Sequence, residues 1–163
     1  MADRTTTKII ETRPSAGRDS FPIADGVTVA AGTLVQLEAG FLNHWDDSAS
    51  NDVFVGIVIG GEDRAGDGII IGETSDTPDP RAFVDTSGVI LMHLDSINGT
   101  PSQAKVGDLI YCDDSDTDNM DLQASGNTNA IGVLWEFRST TDCDVKLFTP
   151  AEYIAVNYES AGT

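Results

Sequence analysis

Positive charge is what this chain has least of: nine Lys and Arg stand against 27 Asp and Glu, a net charge of −18 over 163 residues. A field of that sign repels phosphate backbones, which argues against nucleic-acid binding through the body of the protein. No apolar run approaches the ~18 residues of a membrane span, so no membrane partner is expected. The opening stretch MADRTTTKIIETRPSAGRD lacks the apolar core of a secretory signal, and a cytosolic site of synthesis follows as the expectation. The only cysteines, Cys112 and Cys143, fall in no metal-binding spacing and read as buried thiols; a cytosolic origin argues against their pairing.

Chemical signatures are missing as well. The sequence holds no G-x-S-x-G, no H-E-x-x-H and no G-x-x-x-x-G-K-[ST]. The only histidines, His44 and His93, share no ligand spacing; His44 reads as loop or interface decoration and His93 as a strand histidine. GGED at 60–63 matches the signature turn of cyclic-dinucleotide synthases but lacks their α/β context, and NGT at 98–100 means only a turn. Carboxylates are abundant without any pair being singled out, so neither an enzyme nor a cofactor is expected.

What is present is β pattern. Short runs of Val, Ile, Leu and Phe are broken every eight to twelve residues by Gly, Asp, Asn, Ser or Pro. Strands are expected at 8–12, 27–30, 33–38, 53–60, 68–73, 82–86, 89–94, 109–112, 130–138 and 143–149. No window of helical length sustains a 3.6-residue period. Two short helical turns are expected, one at Pro101–Ala104 capped by Thr100. The other starts at T-P-A-E, with Thr149 as cap, Pro150 in the first turn and Glu152 closing a capping box. The expected fold is all-β, a compact antiparallel barrel or sandwich at 25–149, with an extended arm at 1–24 and a tail or short helix at 150–163.

Residues 31–62 echo residues 106–137. Each begins with Gly-x-Leu (Gly32 and Leu34; Gly107 and Leu109), crosses an acidic connection, and reaches an apolar-Gly-apolar strand at Gly56 or Gly132. The first glycine of each reads as a tight turn, the second as a bulge or a close backbone approach. Two similar hairpin units on one barrel or sandwich are expected.

The stretch YCDDSDTDNMD, 111–121, holds five aspartates. Asp114, Asp116 and Asp118 match the first three ligand positions of an EF-hand calcium loop. Asn119 and Ser125 then stand where that loop needs Gly and Glu, and strands flank it instead of helices. Two readings stay open: a looser calcium cage on Asp114, Asp116 and Asp118, or a hydrated turn. The first 20 residues carry four of the nine basic groups against three acidic ones. That arm is either a frayed terminus or a latch onto a neighbouring acidic subunit.

The phrases DGVTVAAGTLVQLEAG, FVGIVIGGE, RAFVDTSGVILMHLDS, AKVGDLIYCDD and NAIGVLWEFRSTTDCDVKLF, in that order, resemble the small β-barrel capsid decoration (cement) proteins of tailed bacteriophages. The matching positions are Gly32, Gly56, Gly88, Gly107, Asp108, Tyr111, Gly132 and Leu147, within residues 25–149. The resemblance implies a non-enzymatic virion protein on the capsid exterior, made in the host cytoplasm. It implies the major capsid protein as partner and a homotrimer as assembly. Contacts to the shell or a neighbour are expected from Ile9, Ile10, Arg13 and Arg18 in the arm. Trp45 is a further contact, either an anchor in a polar loop or a cap on the barrel end. The alternative is a tail or fibre β-domain that binds a host-surface glycan.

Overall fold

The structure is a computed structural model that describes residues 18–47, 52–72, 80–87, 91–94, 97–117, 120–122, 129–140 and 143–159. Its first strands are β1 (Arg18–Pro22), β2 (Thr28–Ala30), β3 (Leu34–Glu38), β4 (Phe41–His44), β5 (Val53–Gly61), β6 (Ile69–Ile71) and β7 (Arg81–Asp85). Then come β8 (Leu91–Leu94), β9 (Leu109–Cys112), β10 (Met120–Asp121), β11 (Ala130–Phe137) and β12 (Cys143–Leu147), followed by helix α1 (Pro150–Ile154). The protein is all-β.

Strand order exposes a duplication deeper than two hairpins. One five-stranded sheet runs β1-β7-β5-β3-β4 and the other β8-β12-β11-β9-β10, both antiparallel throughout; β2 and β6 form a separate ribbon. With the ribbon set aside, each sheet takes its first and last strands in chain order as neighbours and places the remaining three identically. The hydrogen bonds repeat too. Gly32 N–H donates to Val58 O and Gly107 N–H to Leu134 O, both at 2.8 Å. The returning bonds, Val58 N–H to Thr33 O and Leu134 N–H to Asp108 O, are both 2.9 Å. Gly32 and Gly107 hold φ of 96° and 97°, a left-handed turn that a Cβ would strain.

The bulges coincide as well. Val35 faces Gly56 and Gln36 faces Phe54, leaving Val55 extra; Ile110 faces Gly132 and Tyr111 faces Ala130, leaving Ile131 extra. A Cβ on Gly56 would sit 2.0 Å from Asp85 O, and one on Gly132 would sit 2.5 Å from Lys146 O. These glycines let one strand lie against the next carbonyl, as the close-approach reading expects. Each sheet also curls, because Ile23 bridges Leu42 on the far edge strand β4, and Asn98 likewise bridges Asp121 on β10.

Alternation along β3 and β5 sorts side chains into two cores. Val35, Val55 and Val58 join Ile23, Leu42 and Val84 in one cluster, which the ribbon covers through Val29 and Ile70. Leu34, Phe54 and Ile57 point the other way, into a larger cluster with Ile110, Ile131 and Leu134 of the second repeat. Helix α1 closes that cluster with Tyr153. Thr149 caps it as expected, its hydroxyl accepting from Glu152 N–H at 3.1 Å, with Pro150 in the first turn. The chain continues into a π-helical turn, Ala155–Glu159.

Three strands depart from the sequence reading, and tertiary pairing explains each. β1 (RDSFP) lacks alternation and forms by pairing with β7, so residues 18–22 of the expected arm belong to the first sheet. β4 is too short and polar to announce itself, and the two-residue β10 lies within the acidic stretch because Met120 pairs with Cys112. The first helical turn is a 3-10 turn at Gln103–Lys105 with Ser102, not Thr100, at its cap position. Thr100 instead holds φ 55°, its carbonyl accepting from Lys105 Nζ at 3.0 Å. The strand expected at 8–12 lies outside the described residues.

Candidate functional site: the acidic loop and two exposed faces

The acidic loop begins where β9 ends, and its backbone turns inward. Cys112 O accepts from Trp45 Nε1 at 2.7 Å, Asp113 O from Asp47 N–H at 3.4 Å, and Ser115 O from Leu34 N–H at 3.1 Å. The Cys112 thiol lies against the carbonyls of Asp114 (3.2 Å) and Asp116 (3.3 Å) and donates to them. Five successive carbonyls are thus committed to protein donors, and four of these contacts are made with residues of the first repeat or the buried thiol's own loop. A hard cation needs converging oxygens, and this arrangement spends the backbone ones on a seam between repeats. Asp114 accepts from Asp116 N–H at 2.8 Å, which shapes the turn. Asp118 lies outside the described residues, among which no group of three His, Cys, Asp or Glu is placed to hold a metal.

Burial pushes the Cys112 thiol up to about 12, with the neighbouring aspartates adding to the shift. It stays protonated at neutral pH and is not a nucleophile. Cys143 is likewise free and buried.

Trp45 is 2% exposed and belongs to the core, which corrects its reading as a surface anchor. Its ring meets Phe54 edge-on at 5.4 Å and Tyr153 at 5.7 Å. Its Nε1–H holds the acidic loop, so it caps the second repeat's strand end from the first repeat. The polar sequence around Trp45 conceals this, because the partners come from 67 residues away. Tyr153 is fully buried and its hydroxyl has no hydrogen-bond partner among the described residues; burial raises its pKa well above the ordinary phenol.

Near Trp45, Gln36 Nε2 donates to Asp52 at 2.7 Å while its Oε1 accepts from Asp46 N–H at 3.2 Å. Burial, then the charges of Glu38 and Asp46, raise the Asp52 pKa. Asp47, itself buried, accepts from Asn129 N–H at 2.8 Å. These carboxylates stitch loops to sheet. His44 Nε2 lies 2.6 Å from Thr28 O and ties β4 to the ribbon.

Two faces are more open. Trp135, the extra residue of a second bulge in β11, is 50% exposed, with Lys146 Nζ 5.0 Å from its ring centre. Arg138 beside them contacts buried Asp144 at 2.7 Å. On the ribbon, Ile69 and Ile71 are 40% and 48% exposed. They line a shallow pocket of about 100 Å³ with Ala65, Pro80, Glu62 and Arg64, below the ~300–1,000 Å³ usual for small-molecule sites. The sequence reading named neither face. In VLWEF the apolar run hides which residue is turned out, and III carries no alternation at all. Ile9, Ile10 and Arg13 lie outside the described residues; Arg18 opens β1 opposite Asp85.

No family model matches the chain, and no curated protein matches it. Among solved structures, one described as the capsid of Myoviridae phage XM1 aligns over 92% of this chain and 99% of its own, at 18% identity and a TM-score of 0.48.

Proposed function

We propose that this chain is a non-enzymatic structural protein of a phage virion that binds the outer surface of the major capsid shell and stabilises it. The observation that carries the reading is the ordered set of phrases shared with decoration proteins. They fall on successive strands of one β unit, and their glycines sit at its turns and close approaches. Acidity favours an exterior position, since a layer of net charge −18 does not adhere to released DNA and keeps particles dispersed. Arm residues Ile9, Ile10, Arg13 and Arg18 contact the shell or a neighbouring subunit, and copies associate as a homotrimer. Several weak contacts per assembly then offset the ordering cost of binding.

The test is cosedimentation of the purified chain with expanded capsids, alongside a chain lacking residues 1–17. The full chain is expected to pellet with shells and the shortened one to do so more weakly with its β spectrum intact. A full chain that stays in the supernatant overturns the shell role, and equal binding by both overturns the arm. The half-exposed Trp135 favours a second reading, a tail or fibre domain that stacks a host-surface sugar. Binding on a glycan array without shell affinity would select it.

A further inference from the structure

The duplication identifies a face that is sealed in one repeat and open in the other. Leu34 pairs with Ile57 in the first sheet as Leu109 pairs with Val133 in the second. Leu34 is fully buried and Ile57 is 8% exposed, whereas Leu109 and Val133 are only half-buried. Trp135 continues that open side two residues beyond Val133, with buried Leu134 between them. Lys146, paired with Val133, lies over its ring. The other large apolar surface, Ile69 and Ile71, belongs to the ribbon of the first repeat, so each repeat carries one open face.

We propose that these two faces bind each other between copies: the Trp135 face of one chain docks on the Ile69–Ile71 face of the next. Charge selects the pairing. A body of net charge −18 repels a second copy wherever both surfaces are acidic, so contact requires faces that escape that field. Two of the chain's few cations, Lys146 and Arg138, stand beside Trp135, and Glu62 rims the ribbon pocket. The docked pair brings Lys146 to a carboxylate while the tryptophan and isoleucines lose water, a pairing of aromatic anchor and apolar pocket. Two different faces in contact make a head-to-tail interface, which repeats from copy to copy until a ring closes. The inference deepens the self-association proposed above and does not depend on shell binding.

The test is the mass of the full-length chain in solution, by light scattering after gel filtration, for wild type, Trp135→Glu and Ile71→Glu. Wild type is expected at a multiple of the chain mass, and each variant at the mass of one chain with an unchanged circular-dichroism spectrum and melting curve. Mixing the variants sharpens this, because Trp135→Glu keeps an intact ribbon face and Ile71→Glu an intact tryptophan face. Together they are expected to form a heterodimer and nothing larger. A wild type that runs as one chain, variants that keep the wild-type mass, or a mixture that stays monomeric would each overturn the head-to-tail contact. A monomeric wild type that still pellets with shells would overturn it while leaving the shell role standing; an oligomer that ignores shells would do the reverse.

Discussion

The first and second repeats take the same strand order, the same two bulges and the same glycine turns, but they treat their outer sides differently. In the first, a two-stranded ribbon inserted around β3–β5 covers one side of the sheet and the second repeat covers the other. In the second, the acidic loop is tied down by the first repeat while Trp135 remains half exposed. The lesson is that backbone topology and surface role separate. Glycines and bulges set the sheet, and insertions decide which faces are left for partners.

The tryptophans give the largest expected contrast. Trp45→Ala removes two edge-on ring contacts and the bond to Cys112 O, and should cost about 3–5 kcal/mol in urea unfolding. Trp135→Ala should cost about 1 kcal/mol or less, since only the exposed ring and its contact with Lys146 are lost. Equal losses would mean that the second repeat's outer side is not an open face.

Next come the paired glycines. Gly56→Ala drives a Cβ to 2.0 Å from Asp85 O at φ 144°, and a loss of about 3 kcal/mol is expected. Gly132→Ala meets Lys146 O at 2.5 Å without a positive φ, so about 1–2 kcal/mol should suffice. Chemical denaturation of both variants checks the order, and a reversed order would break the equivalence of the two bulges.

The smallest effect contrasts two aspartates of the first repeat. Asp63 is held below the usual carboxylate range, chiefly by the N–H of Gly68 and also by that of Gly66. Its contribution to stability is present above its unfolded pKa and fades as pH falls through the lower folded value. Asp52 is raised, so its ionised form is the one the fold disfavours. Its contribution is present at low pH and fades as pH rises through the folded value. Carboxyl NMR titration should place Asp52 above and Asp63 below the ordinary value of 3.8; coincident titrations would contradict both.

Much of the second repeat was readable from its residues. LIYC, AIGVLWEF and CDVKL are β-branched or apolar runs bounded by turn residues, and T-P-A-E announced the helix cap. The candidate site was less readable. Trp45 sits among Asn, His and Asp in sequence, yet its partners are Phe54, Tyr153 and a carbonyl of β9. The five aspartates of 111–121 show side-chain chemistry in sequence, whereas the loop's placement rests on carbonyls and a thiol that composition does not report.

By itself, the sequence determined an all-β chain, a doubled unit punctuated by Gly32, Gly56, Gly107 and Gly132, and an acidic surface. Those follow from local sterics and net charge, which need no distant partner. Only the tertiary structure decided that β1 joins the first sheet, that Trp45 is core and Trp135 surface, and that the acidic loop is a seam. Each of these depends on contacts between residues far apart in the chain, where pairing and burial override local pattern.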